Sequence, residues 1–281
     1  MRITDAHIHF SNIASFKQCA ISTSNVDYSE AGFAKETAEN NIVRAICMGL
    51  TENAAGGFPD KNTQTPMLAD LTEQRPPAIY LCLGINPHTL NEQSIAKMES
   101  IIKSEKNIVG MKIYAGYYHF DVCDKIFAPA YNLAEKYDLT VVVHSGNTYS
   151  EEALLEFAHP LKIDRLAVQR RDTRIVICHM GSPWVYDACE VAYKNKNVYL
   201  DTSGLLEGNA TYIDNMAAKQ LFVDRFKSAL IFLDNYNKVM FGTDWPLVPM
   251  NAYVELCKKI VPPETYEKVF WENAASVFKL P

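Results

Sequence analysis

The chain has no excess of positive charge: 27 Lys and Arg against 33 Asp and Glu leave a formal charge of −6. Its one basic cluster, Gln169-Arg170-Arg171-Asp172, is closed by an acid. A nucleic acid or an anionic membrane surface is therefore not an expected partner. No run of about 20 apolar residues occurs, so no membrane-spanning helix is expected. The first residues lack a charged stretch leading into an apolar one, and no secretory signal is read there. The seven Cys are scattered and form no C-x-x-C pair. Cys47, Cys82 and Cys178 sit inside apolar runs, as buried thiols do in a reducing compartment. A cytoplasmic location is the resulting expectation. Gly56-Gly57 follows an apolar run but opens no G-x-G-x-x-G phosphate loop, which counts against a dinucleotide-binding open sheet. Linkers, low-complexity tracts and internal repeats are missing as well. With 48% apolar content over 281 residues, the chain reads as one globular domain, 1–281.

What is present is a succession of short, β-branched-rich runs. They are Ile3–Ala6, Ile42–Met48, Ile79–Leu83, Ile108–Tyr114, Thr140–Val143, Ile175–Cys178, Val198–Leu200 and Val239–Phe241. Helix-like segments separate them. Phe127, Tyr131 and Ala134 mark one apolar stripe, and Val185, Ala188, Cys189 and Ala192 another. Apolar strands alternating with helices predict a parallel sheet covered by helices. Eight such units in a chain of this length predict an α/β fold, a closed (β/α)₈ TIM barrel. The stretch from Met48 to Pro77, with Pro59, Pro66, Pro76 and Pro77, predicts a long second βα loop carrying a helix near Met67–Glu73.

Metal-type residues gather at the ends of these runs. In Asp5-Ala6-His7-Ile8-His9, strand alternation sends both imidazoles to one face. His144 ends the fifth run, His179 the sixth, and Asp244 follows the eighth. A barrel directs the C-terminal tips of all its strands to one face, where active sites sit. Five such residues on four strand tips point to a metal site, and neutral imidazole suits zinc.

Several phrases carry a family resemblance. Thr4-Asp5-Ala6-His7-Ile8-His9, Gly110-Met111-Lys112-Ile113-Tyr114, Val141-Val142-Val143-His144-Ser145-Gly146, Cys178-His179-Met180-Gly181 and Phe241-Gly242-Thr243-Asp244-Trp245-Pro246 are such phrases. Together with the closing Asn273-Ala274-Ala275-Ser276-Val277-Phe278 they resemble the amidohydrolase superfamily. The branch is amidohydrolase-2, which includes aminocarboxymuconate-semialdehyde decarboxylase-like enzymes and lactone hydrolases. The resemblance implies that His7, His9, His144 and Asp244 hold one divalent ion, usually Zn²⁺. It implies that His179 is the acid–base or polarising residue and that Asp244 also accepts a proton from the attacking water. It further implies a small-molecule substrate.

Lys112 has three readings. It is a carboxylated bridge between two metals, a substrate anchor, or a structural lysine bonded to a strand-end carboxylate such as Asp201. Substrate anchoring is the preferred one, with Tyr114 and Trp245 beside it in the pocket. Asn86, His88, Tyr117, Tyr118, His119, Asn147 and Trp184 are further strand-end residues that could line it. Asp201-Thr202-Ser203-Gly204 reads mainly as a helix cap. Arg44, Arg170, Arg171 and Arg174 fall away from the strand tips. A decarboxylase usually grips its carboxylate with Arg, so their placement favours hydrolysis of a lactone, ester or amide over decarboxylation. A non-enzymatic metal-binding barrel fits least, because the constellation is complete. Self-association into a homo-oligomer is left open.

Overall fold

A computed structural model of the protein describes residues 1–11, 13–52, 58–70 and 79–281. Gly56-Gly57, Pro76-Pro77 and residues 71–73 of the expected loop helix lie outside the described residues.

Eight parallel strands form one sheet in sequence order: β1 Ile3–Ile8, β2 Ile42–Met48, β3 Ile79–Ile85, β4 Ile108–Ile113, β5 Thr140–Val143, β6 Ile175–Ile177, β7 Val198–Asp201 and β8 Val239–Met240. The sheet closes on itself. Ala6 N donates to Phe241 O at 2.8 Å, Asp244 N to His7 O at 2.8 Å, and His9 N to Trp245 O at 2.7 Å. Helices Glu30–Glu39, Glu92–Ser104, Ala128–Lys136, Pro160–Gln169, Val185–Lys194 and Gln220–Leu233 are interleaved between strands. The fold is a (β/α)₈ TIM barrel. Among the described residues no helix is long and apolar enough to cross a membrane.

Strand alternation divides the core in two. Ala6, Met48, Cys82, Val142, Val176, Cys178 and Met240 face inward, packed with Ala274, Val277 and Phe278 of the closing helix Asn273–Phe278. Cys47, Leu83, Met111, Val143, Ile177 and Phe241 face the outer helices in a larger cluster. That helix layer includes Tyr131, Ala134, Ala188, Cys189 and Ala192. Strands apolar on both faces are what a sheet covered on both sides requires.

The second βα segment differs from its expectation. Met67 forms an antiparallel bridge with Gly84, its N donating to Gly84 O at 2.8 Å, so the described part of Met67–Glu73 is extended rather than helical. Gly49 permits this approach: a Cβ there would lie 2.2 Å from Met67 O and 2.9 Å from Gly84 N.

Candidate metal centre and cleft

Two backbone devices aim the site residues. Ala6 belongs to the inner cluster and Ile8 to the outer one, with a register irregularity between Asp5 and Ile8. This bulge switches the alternation so that His7 and His9 turn into the barrel mouth beyond an inward Ala6. At the other strand ends the backbone turns left-handed, with φ of 61° at His179, 47° at Met180 and 67° at Asp244. Such values are uncommon outside glycine, cost on the order of 1–3 kcal/mol each, and concentrate at functional sites.

Asp201, at the end of β7, organises two of the imidazoles. Its Oδ2 accepts from His7 Nδ1 at 3.0 Å. Its Oδ1 accepts from His179 N at 2.9 Å, from Ser203 N at 3.1 Å and from the Ser203 hydroxyl. Ser203 Oγ is 2.8 Å from His179 Nδ1. With its proton committed to Asp201, Ser203 accepts from His179, and both imidazoles carry their protons on Nδ1. These tautomers are inferred from the partners. Asp201 is therefore a second carboxylate of the site and not a helix cap. Its strand-end position was visible in the sequence, but its partner His7 lies 194 positions away.

The free lone pairs then meet. His7 Nε2 is buried without a hydrogen-bond partner, 3.5 Å from Asp244 Oδ1, which is likewise unpartnered. His9 Nε2 lies 3.2 Å from the same oxygen. Ligand atoms of His7, His9 and Asp244 all fall within 4.8 Å of one another. His144 joins through His179: its Nε2 donates to Asn147 O at 3.0 Å, leaving Nδ1 3.2 Å from His179 Nε2. The ring centroids of His7 and His179 are 5.1 Å apart, and those of His144 and His179 4.9 Å. Gly204 keeps this wall open, since a Cβ there would lie 2.6 Å from His179 Nδ1 and 2.8 Å from Asp244 Oδ2.

Electrostatics suits a cation at this point. Burial pushes His7, His9 and His144 below the usual imidazole range and His179 down to about 4, with Lys112 adding to each shift. Burial alone would raise Asp244, but the surrounding His7, His179 and His9 keep it well below the usual carboxylate range. Neutral imidazole lone pairs facing an ionised carboxylate repel one another unless a positive charge lies among them. The donor set therefore fits a divalent ion.

Lys112 lies on the cleft floor, 1% exposed, with Nζ donating to Cys178 Sγ at 2.9 Å and lying 5.4 Å from the Tyr114 ring centroid. It has no ion pair among the described residues and is not bonded to Asp201. Tyr114 also lines the cleft, its hydroxyl tied to Gly49 O at 2.8 Å. Trp245 corrects its expectation. It is fully buried, stacked on Phe10 with centroids 5.7 Å apart, and its Nε1 donates to Glu36 at 3.1 Å. The left-handed turn at Asp244 sends the carboxylate into the mouth and the indole outward into the helix layer. Asn86 also serves structure, donating to the carbonyls of Asp60, Lys61 and Thr63. His88 packs on Tyr118 and Phe120, His119 bonds Glu152 O, and Trp184 packs on His159.

The cleft has two lobes that share Tyr117, Tyr149, His144, His179, Asp244 and Leu247. The first spans about 630 Å³, part of it open to solvent, and is walled by Ile13, Phe16, Cys19, Leu50, Phe58 and Tyr114, with Lys112 at its floor. The second, about 980 Å³ and open to solvent, is bounded by Asn147, Ser182, Gly204, Leu206 and Glu207. Phe16, Tyr149, Leu247 and Glu207 carry no motif that would have singled them out in the sequence.

Comparison with known proteins places this geometry. The family model described as amidohydrolase (Amidohydro_2) matches residues 4–280. No curated protein matches the chain. Among solved structures, an uncharacterised TIM-barrel protein from Bordetella bronchiseptica superposes with a TM-score of 0.71 at 19% identity, covering 100% of this chain and 99% of that one. A probable 2-pyrone-4,6-dicarboxylic acid hydrolase from Acinetobacter baumannii, with citric acid bound, gives 0.65 at 16% identity over 99% and 100%. A 5-carboxyvanillate decarboxylase from Novosphingobium aromaticivorans, complexed with manganese, gives 0.62 at 13% over 99% and 96%. Identities this low speak to the fold alone.

Proposed function

Because the chain belongs to the amidohydrolase family over residues 4–280, we propose that it is a metal-dependent hydrolase of a small metabolite, cleaving a lactone, ester or amide bond. His7, His9, His144 and Asp244 would hold a single divalent ion, zinc in this reading. An ion bound there would polarise the scissile carbonyl and lower the pKa of water. The remaining work falls to the chain. Asp244, ionised, takes a proton from the attacking water as its oxygen adds to the carbonyl carbon. His179, held through Nδ1 by Ser203, receives that proton from Asp244 at its free Nε2 and passes it to the leaving oxygen or nitrogen as the C–O or C–N bond breaks. Lys112 draws an anionic group of the substrate onto the floor, and the aromatic wall excludes water.

The observation that carries this reading is the two-lobed cleft with His144, His179 and Asp244 at its junction. Hydrolysis produces two fragments, and a lobe on each side of the reacting bond accommodates both. Decarboxylation also gives two products, but CO₂ is too small to need a lobe of its own. The rival has an observation of its own: Lys112 is a buried cation in the apolar lobe and could grip a carboxylate as a point charge. The test is to incubate the zinc-loaded protein with a panel of lactones, esters, amides and aromatic carboxylic acids. Acid release from the first three supports hydrolysis. CO₂ release from the carboxylic acids, with none of the others turned over, overturns it.

A further inference from the structure

The two lobes differ in charge, and the difference gives the substrate a direction. Lys112 is the cation of the apolar lobe. The polar lobe holds no Lys or Arg among its described lining residues, and its one carboxylate away from the metal centre is Glu207. Among the described residues Glu207 has no hydrogen-bond or ion-pair partner. The loop that carries it is pinned on both sides: Leu205 N donates to Tyr253 Oη at 2.9 Å, and Gly208 N to Leu247 O at 3.1 Å. Glu207 is therefore held at the rim by backbone anchors. Tyr117 and Tyr149 line the same lobe, with Tyr149 N donating to Tyr117 Oη at 2.9 Å. Arg225 reaches the wall but is committed there, its guanidinium donating to Ser182 Oγ at 2.9 Å and Pro183 O at 3.3 Å, so a carboxylate and two tyrosines in one lobe leave a recognition surface for an ammonium group.

We infer that the polar lobe is a leaving-group subsite for an ammonium-bearing alcohol or amine, and that Glu207 is its specificity-determining residue. This rests on the hydrolytic reading above and deepens it. The substrate is an ester or amide whose acyl half carries a carboxylate for Lys112 and whose leaving half carries an ammonium for Glu207. The two charges fix its orientation across the centre. Glu207 is exposed at the rim, where partial desolvation and the nearby Asp244 carboxylate both raise its pKa.

The test separates binding from turnover. The binding probes are the aminoethyl and propyl ethers of p-carboxybenzyl alcohol, which match in size and cannot be hydrolysed. Calorimetry on the zinc-loaded full chain should show the aminoethyl ether binding roughly three- to tenfold tighter, the range of a partly exposed charge pair with aromatic support. In Glu207→Gln that ratio should fall to about one, and in Glu207→Lys it should invert. A wild-type ratio near one, a ratio unchanged in Glu207→Gln, or no binding of either ether would each overturn the inference. The turnover probes are the aminoethyl and propyl monoesters of terephthalic acid. If the ethers show the Glu207-dependent preference but neither ester is cleaved, the subsite stands and the hydrolytic reading falls. If both esters are cleaved with the same kcat/KM in wild type and in Glu207→Gln, hydrolysis stands and the subsite falls.

Discussion

At the scale of single residues the centre separates groups that hold an ion from groups that act on the substrate. His144→Ala should lose metal, because its Nδ1 lone pair is one of four proposed donors and alanine offers none. His179→Asn should keep the metal and lose at least about a hundredfold in turnover, the usual range for an acid–base group. Metal content after dialysis, measured beside kcat, tests the pair. Equal metal loss in both would make His179 a ligand, an outcome its 3.2 Å approach to His144 makes worth checking. Asp201 supplies a second test. It fixes the His7 tautomer through Nδ1 and holds the backbone of His179, so Asp201→Asn should weaken metal affinity roughly 10–100-fold while leaving all four donors in place. Chelator competition reads this directly, and an unchanged affinity would show that Asp201 serves the fold alone.

Among the elements, the seam between β1 and β8 positions half of the centre. Asp5, within β1, accepts from Thr243 Oγ1 at 2.6 Å and Thr243 N at 3.0 Å just beyond β8, and from His7 N at 3.1 Å. Thr243→Val keeps the shape, removes the hydroxyl and leaves the buried Asp5 short of a donor. The expected cost is about 1–3 kcal/mol in urea unfolding, with weaker metal binding as His7 and Asp244 lose their common brace. A variant as stable as the parent would show that the backbone hydrogen bonds of the seam suffice. The eight strands themselves were legible because a strand buried on both faces reads as an unbroken apolar run. Their ends were less so: β1 runs on through His7 to Ile8, and β8 stops at Met240. The five centre residues were legible because strand tips share one face. Three features were not. The bulge that turns His7 inward leaves no local signature. The direction of Trp245 depends on a left-handed turn that Asp, unlike Gly, does not advertise. Asp201 takes its role from a partner on the far side of the barrel, where local reasoning finds only a cap.

For the whole molecule, the barrel buries four imidazoles and their carboxylate at one mouth, and folding is thereby coupled to metal and to protons. One ion per chain should raise the melting temperature, since a ligand at about a thousand times its Kd stabilises by about 4 kcal/mol. Elemental analysis returning two ions per chain would overturn the single-ion reading and revive Lys112 as a carboxylated bridge. Stripped of metal, the protein should instead be sensitive to mild acid. In the unfolded chain a histidine takes up its proton near the ordinary value of 6.5, whereas His179, buried, resists until about 4. His7, His9 and His144 are lowered for the same reason of burial. Between those limits these histidines bind more protons in the unfolded state than in the folded one, so the stability they contribute falls as pH falls. Buried Asp5 opposes this trend: burial raises its carboxyl from 3.8 to about 7, so as pH falls between those values the folded state takes up its proton first and stability rises. Asp244 and Asp201 are held below their ordinary range, so their contribution is lost only at lower pH. A shift of this size at His179 alone corresponds to about 3 kcal/mol by the bottom of the window, at 1.36 kcal/mol per pH unit. With Asp5 common to both proteins, the melting temperature of chelator-treated His179→Asn should therefore gain on that of the parent as pH falls from about 6.5 to about 4. A difference between the two proteins that stays constant across that range would mean that His179 already carries its second proton in the folded state, and the neutral donor set on which the metal centre rests would have to be abandoned.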